Sequence, residues 1–107
     1  MTAPAAGQVV TVFRSRLRDT AGHEYESTAA AMFDAARHMP GFVDFKTFVA
    51  EDGERVSLIT FADRASHDAW RDDSRHRAAQ RARDRFYASY QIQVCDCTRV
   101  STFTAQG

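Results

Sequence analysis

Apolar positions along this chain recur at two periods, near two residues and near three and a half, and each change of period marks an element boundary. Residues 8–17 are rich in β-branched side chains and predict a first strand. Thr20, Ala21 and Gly22 then punctuate. Tyr25, Ala29, Met32, Ala36 and Met39 follow at helical spacing, predicting a helix over 23–39 that Pro40 and Gly41 stop. Residues 42–50 alternate and predict a second strand. Asp52-Gly53 is a hairpin signal, and 55–62 predicts a third strand. Asp63 is placed to cap a short helix over about 64–72, and Ser74 to cap another over about 75–89. Residues 90–103 predict a long last strand.

This order is that of a ferredoxin-like split βαβ arrangement: an α+β fold with an antiparallel four-stranded sheet and helices on one face. In a monomer the uncovered face should be polar. Here strand 1 offers Val9, Thr11 and Phe13 on one side and Val10 and Val12 on the other. Strand 2 offers Phe42 and Phe48 against Val43, Phe45 and Val49, and strand 3 offers Ile59 and Phe61 against Val56 and Leu58. Two apolar faces read as a sheet buried on both sides. The expectation is a homodimer packed through the sheet face.

Composition narrows the picture. At 107 residues the chain predicts one domain with one core. Residues 1–7 read as a disordered lead-in, 8–103 as the domain and 104–107 as a tail. The 14 basic residues balance 14 acidic ones, so net charge makes no case for nucleic acid or an anionic membrane. No apolar run approaches the roughly 20 residues that span a bilayer. The start lacks the basic and apolar regions of a signal peptide, and a cytoplasmic protein is expected. Cys95 and Cys97, two apart on a strand, would lie roughly 6.5–7 Å apart, at or beyond the disulfide limit. Without a further Cys or His pair nearby they make no metal signature.

Met39-Pro40-Gly41-Phe42, Arg55 to Phe61 (Arg-Val-Ser-Leu-Ile-Thr-Phe), Ala69-Trp70 and Ser74-Arg75-His76-Arg77, in this order and spacing, resemble the antibiotic biosynthesis monooxygenase family. The resemblance runs over about residues 8–100. It implies a dimeric α+β barrel with a pocket between sheet and helices. It also implies oxidation of an aromatic polyketide-like phenol or quinol by O2 as co-substrate, with no metal or other cofactor. One branch of the family degrades haem. Its pattern has an Asn on strand 1, a Trp after strand 3 and a haem-ligating His ten residues later; here these positions hold Ser15, Trp70 and Gln80. An amide is a poor substitute for that imidazole, and haem binding is the lesser reading. The polyketide-oxygenating pattern has an Asn four residues before the Trp and a Tyr six after; here these are Ser66 and His76.

The residues themselves suit such chemistry. A lone indole beside imidazole and amide groups can bind a flat ring and donate hydrogen bonds to it. Trp70, His76 and Gln80 are therefore the candidate catalytic residues, with His76 as base and Trp70 and Gln80 as donors to the anion that forms. Phe13, Ser15, Met32, Phe61 and Tyr87 are the candidate substrate-binding residues. Tyr87, seven residues beyond Gln80, is expected on the same helical face. His67 is expected at the surface. The arginines from Arg71 to Arg85 read as a solvated, salt-bridged helix face. A non-catalytic dimeric module that binds a small aromatic ligand is the competing reading.

Overall fold

The structure, a computed structural model, describes residues 4–106. Strands β1 (Val9–Leu17), β2 (Phe42–Val49), β3 (Arg55–Phe61) and β4 (Tyr87–Asp96) form one antiparallel sheet in the order β2-β3-β1-β4. Helix α1 (Gly22–Arg37) crosses from β1 to β2. Helices α2 (Arg64–Asp72), α3 (Ser74–Arg81) and the single turn α4 (Arg83–Phe86) cross from β3 to β4. The ferredoxin-like α+β fold expected from the element order is the fold observed. Residues 1–3, part of the expected lead-in, lie outside the described residues. Among the described residues no helix is long and apolar enough to cross a membrane.

The core lies between the sheet and the helices. Ile59 and Phe61 of β3 pack with Ala35 and Ala36 of α1 and Trp70 of α2, with Phe13, Met32, Met39, Phe42 and Phe45 around them. Alanines on α1 let that helix approach closely, which suits the short distance between a helix and a twisted sheet. The helices do not cover the inner face of β4. There Tyr90, Ile92 and Val94, opposite Ser15, Phe13 and Thr11, remain partly exposed.

The structure departs from the expectation at several points. The register of β2 on β3 shifts between Phe42 and Asp44, so Phe42 and Phe45 both reach the core instead of pointing to opposite faces. The helix expected over 75–89 is broken at Ala82, and the chain turns into β4 already at Tyr87. The reason is β1: Leu17 pairs with Tyr87, and the Arg18 N–H donates to the Phe86 carbonyl at 2.7 Å. Pairing with β1 wins over continuation of the helix. At the other end β4 stops at Asp96, because its partner strand begins at Val9. Asp73, not Ser74, caps α3, accepting from the Arg75 N–H at 2.9 Å.

Candidate active site

Local chemistry fixes where Trp70 stands. The Asp63 carboxylate accepts from the Ser66 N–H at 2.8 Å, and the Ser66 hydroxyl accepts from the Asp63 N–H at 3.3 Å. This reciprocal capping box starts α2 at a defined residue. Gly41 adjoins it with φ of +81°, and a Cβ there would collide with the Ser66 side chain, so this position needs glycine twice over. Its carbonyl accepts from the Ala62 N–H at 2.7 Å, tying the end of α1 to the end of β3. From this anchored start Trp70 comes down on Phe61, ring centroids 6.4 Å apart.

Between helices and sheet lies a cavity of about 500 Å³. Trp70, His76, Gln80, Met32, Phe13 and Tyr87 all line it, joined by residues of α1 and β2. A smaller recess of about 260 Å³ shares Phe13, Trp70, His76 and Gln80 and extends over Ile92 and Val94, the uncovered face of β4.

His76 is half-buried within this group. Its ring lies flat on the Trp70 indole, centroids 4.4 Å apart and planes within 15°. Its Nδ1 is 3.2 Å from the Trp70 carbonyl oxygen and 3.2 Å from the Gln80 amide nitrogen. A carbonyl can only accept, so the first contact requires Nδ1–H and leaves the lone pair on Nε2. The second contact belongs to the other tautomer, in which Nδ1 accepts from Gln80. Burial, and next the Arg83 guanidinium, hold His76 below the ordinary imidazole range. It is therefore neutral at physiological pH and able to take a proton.

Tyr87 closes the opposite wall. It tilts against Phe13 at 5.3 Å and meets Tyr25 edge-on at 5.8 Å. Burial, and next the Tyr25 phenol, push the Tyr87 hydroxyl well above the usual phenol range. It stays a hydrogen-bond donor at any working pH. Tyr87 reaches the cavity from the start of β4 and not from the helical face expected.

Two expected residues stand elsewhere. Phe61 is fully buried beneath Trp70 and does not line the cavity. Ser15 is buried on β1, opposite Arg55, and is also absent from the lining. His67 is buried, not exposed, with Nδ1 2.8 Å from the Asp68 carboxylate.

Sequence reasoning missed Arg83 and Arg55. Arg83 stands in a run of arginines that reads in sequence as a salt-bridged face, and three others of the run do pair: Arg71 with Asp72 at 3.1 Å, Arg75 with Asp73 at 3.0 Å and Arg85 with Glu24 at 2.8 Å. Arg83 instead turns inward over Tyr90 at 5.2 Å and Phe13 at 5.9 Å. The available signal for Arg55 was alternation, which puts it on the face of Ile59 and Phe61.

Fold and site together define a ferredoxin-like α+β protein with an aromatic-walled cavity between sheet and helices. The family model for antibiotic biosynthesis monooxygenase matches residues 8–82, well over half of the chain. The chain belongs to that family. Its fold is similar to that of Rv0793 from Mycobacterium tuberculosis, at TM-score 0.78 and 16% identity over 89% of this chain and 99% of that one. It is similar also to SnoaB, a cofactor-independent oxygenase from Streptomyces nogalater, at TM-score 0.71 and 19% identity over 95% and 96% of the two chains. A conserved protein from Methanosarcina mazei matches at TM-score 0.75 and 10% identity, covering 83% and 91%. At these low identities the TM-scores establish a shared fold and no more. No curated protein sequence matches the chain.

Proposed function

We propose that this protein is a cofactor-independent monooxygenase that oxidises an aromatic, polyketide-like phenol or quinol with O2. The observation that carries the reading is the stacked Trp70–His76 pair, joined by Gln80, on the wall of an aromatic-lined cavity. Family membership and the fold shared with SnoaB support it.

The substrate itself supplies the electrons. His76 removes a proton from the bound ring system, and the resulting anion is electron-rich enough to reduce O2. One oxygen atom enters the ring as a carbonyl, and the other leaves as water with two hydrogens from the substrate. Trp70 and Gln80 are N–H donors at the wall where the anion develops, and Arg83 adds a positive charge. Phe13, Met32 and Tyr87 enclose the ring and exclude water. Haem suits these residues less well: Gln80 stands where the haem-degrading pattern has its His, and His76 is already stacked on the indole.

Metal-free protein in air is expected to consume one O2 per turnover, converting an anthrone to the corresponding anthraquinone and a hydroquinone to the ring-hydroxylated quinone, each with release of one water. Trp70→Phe and Gln80→Ala should each slow this turnover. Binding of the aromatic compound with no oxygen uptake would favour a non-catalytic binding module instead.

The working unit we propose is a homodimer. Val10, Val12, Val56 and Leu58 fall by alternation on the sheet face opposite the helices. Beside them Phe48 is 49% exposed, with the Lys46 ammonium 5.4 Å from its ring. A second copy packed face to face would remove this patch from water. Equilibrium sedimentation at micromolar concentration should give twice the chain mass; a monomer would rule the arrangement out.

A further inference from the structure

We propose that the cavity carries an anion subsite on Arg55, and that its ligand is a fused aromatic acid whose carboxylate sits on this guanidinium while the rings extend toward Trp70.

The charged side chains that line the cavity from within are Arg55 and Arg83, and among the described residues no Asp or Glu lines it. Arginines on the outer side of the same sheet are neutralised within the protein: Arg14 pairs with Glu54 at 2.7 Å and Arg16 with Asp52 at 2.8 Å. Arg55, on the inner side, has no such partner among the described residues. Its guanidinium lies 5.9 Å from the Tyr25 ring, which offers a π face but no lone pair directed along an N–H. Its Nε is buried with no hydrogen-bond partner. A buried donor left unsatisfied is costly, and a carboxylate accepting two parallel N–H bonds is the group that fits a guanidinium fork.

The wall beside Arg55 continues the same chemistry. Thr47 of β2 and Ser57 of β3 are paired across the strands with their hydroxyls 2.7 Å apart, and both line the cavity. Ser57 is two residues from Arg55, so roughly 6.5–7 Å away on the same face. Together they present a cation and two hydroxyls, a set that recognises an oxyanion. Lys46 leans instead on Phe48.

Distance along the strand sets the ligand's length. Arg55 and Ile59 are four residues apart on β3, roughly 13 Å, and Ile59 packs in the cluster that contains Trp70. A single ring held at Arg55 would fall short of Trp70; a fused polycyclic skeleton bridges the two. Arg83, beside His76, serves a charge that develops during reaction. Arg55 serves a charge that the substrate already carries. This division rests on the oxygenase reading, but its test needs no turnover.

The protein's single tryptophan is Trp70, so quenching of intrinsic fluorescence reports ligand at the cavity wall. Anthraquinone carboxylate and the neutral hydroxymethyl anthraquinone would be titrated without O2 into the native protein. The carboxylate is expected to bind about tenfold or more tightly, the scale of one charge-assisted hydrogen bond. Arg55→Gln should abolish the difference between the two probes, Arg55→Lys should keep part of it, and in Arg83→Gln it should survive. Equal affinities in the native protein, or no quenching by either probe at its solubility limit, would overturn the proposal. So would a preference that persists in Arg55→Gln. The native comparison stands even if a variant fails to fold. A carboxylate preference without oxygen uptake would refute the oxygenase reading alone. Turnover of neutral quinols without any preference would refute the subsite alone.

Discussion

Replacement of His76 by alanine is expected to lower kcat/KM for an anthrone or hydroquinone by about a hundred- to ten-thousand-fold, the usual worth of a positioned general base. Among the described residues the ring has no carboxylate partner at hydrogen-bond distance, and its Nδ1 is engaged by the Trp70 carbonyl or, in the other tautomer, by Gln80. In the tautomer whose Nδ1–H donates to the Trp70 carbonyl, Nε2 holds the lone pair that accepts the substrate proton. The pH profile separates this role from simple packing against Trp70. Because burial and Arg83 hold His76 below its ordinary value, the free base persists as pH falls through the usual imidazole range. The acid limb of kcat/KM should therefore lie below the ordinary imidazole value of about 6.5. Arg83→Gln removes a positive neighbour, so it should move that limb upward. Asp73, which acts in the opposite sense, remains in place. Near-native turnover in folded His76→Ala, or an acid limb that Arg83→Gln does not move, would exclude His76 as the base.

The order of elements could be read from the chain because each rests on local signals: Pro40-Gly41 after α1, Asp52-Gly53 between β2 and β3, and Asp63 before α2. The errors arose where tertiary pairing overrides local preference. Tyr87 belongs to a continuous helical pattern in sequence, yet Leu17 draws it into β4. Phe42 and Phe45 fall out of phase in strict alternation, and the register shift at the start of β2 brings both inward.

The site shows the same division. Trp70, His76 and Gln80 are close in sequence on α2 and α3, so a helical reading could place them together. Arg55 and Arg83 come from separate elements, and their meaning depends on which charges they fail to meet. That information lies in the packing. Alternation puts Ser15 on the face of Phe13 and Phe61 on the face of Ile59, but depth within that face decides between lining a cavity and supporting it. Depth depends on what covers each residue.

Phe61→Ala should be the most destabilising single change in the core, by about 3–5 kcal/mol. Phe61 is one of the two largest side chains with essentially no exposure. Its ring meets Phe42 edge-on at 6.0 Å and lies under Trp70 at 6.4 Å. Domains of this size are stable by only about 5–15 kcal/mol, so the loss is a large share of the total. Urea unfolding at matched protein concentration should show a lower midpoint with an unchanged slope. The consequence for the site follows from position. Trp70 packs against Phe61 and carries the stacked His76 ring. Removing the lower ring lets the indole sink into the void and takes away the flat surface that orients His76. Turnover should then fall further than the fraction of unfolded protein explains. Phe61→Leu refills most of the volume and should recover stability and orientation together. A loss below about 1 kcal/mol in Phe61→Ala would mean that the surrounding side chains close the void, and that the indole does not depend on this support.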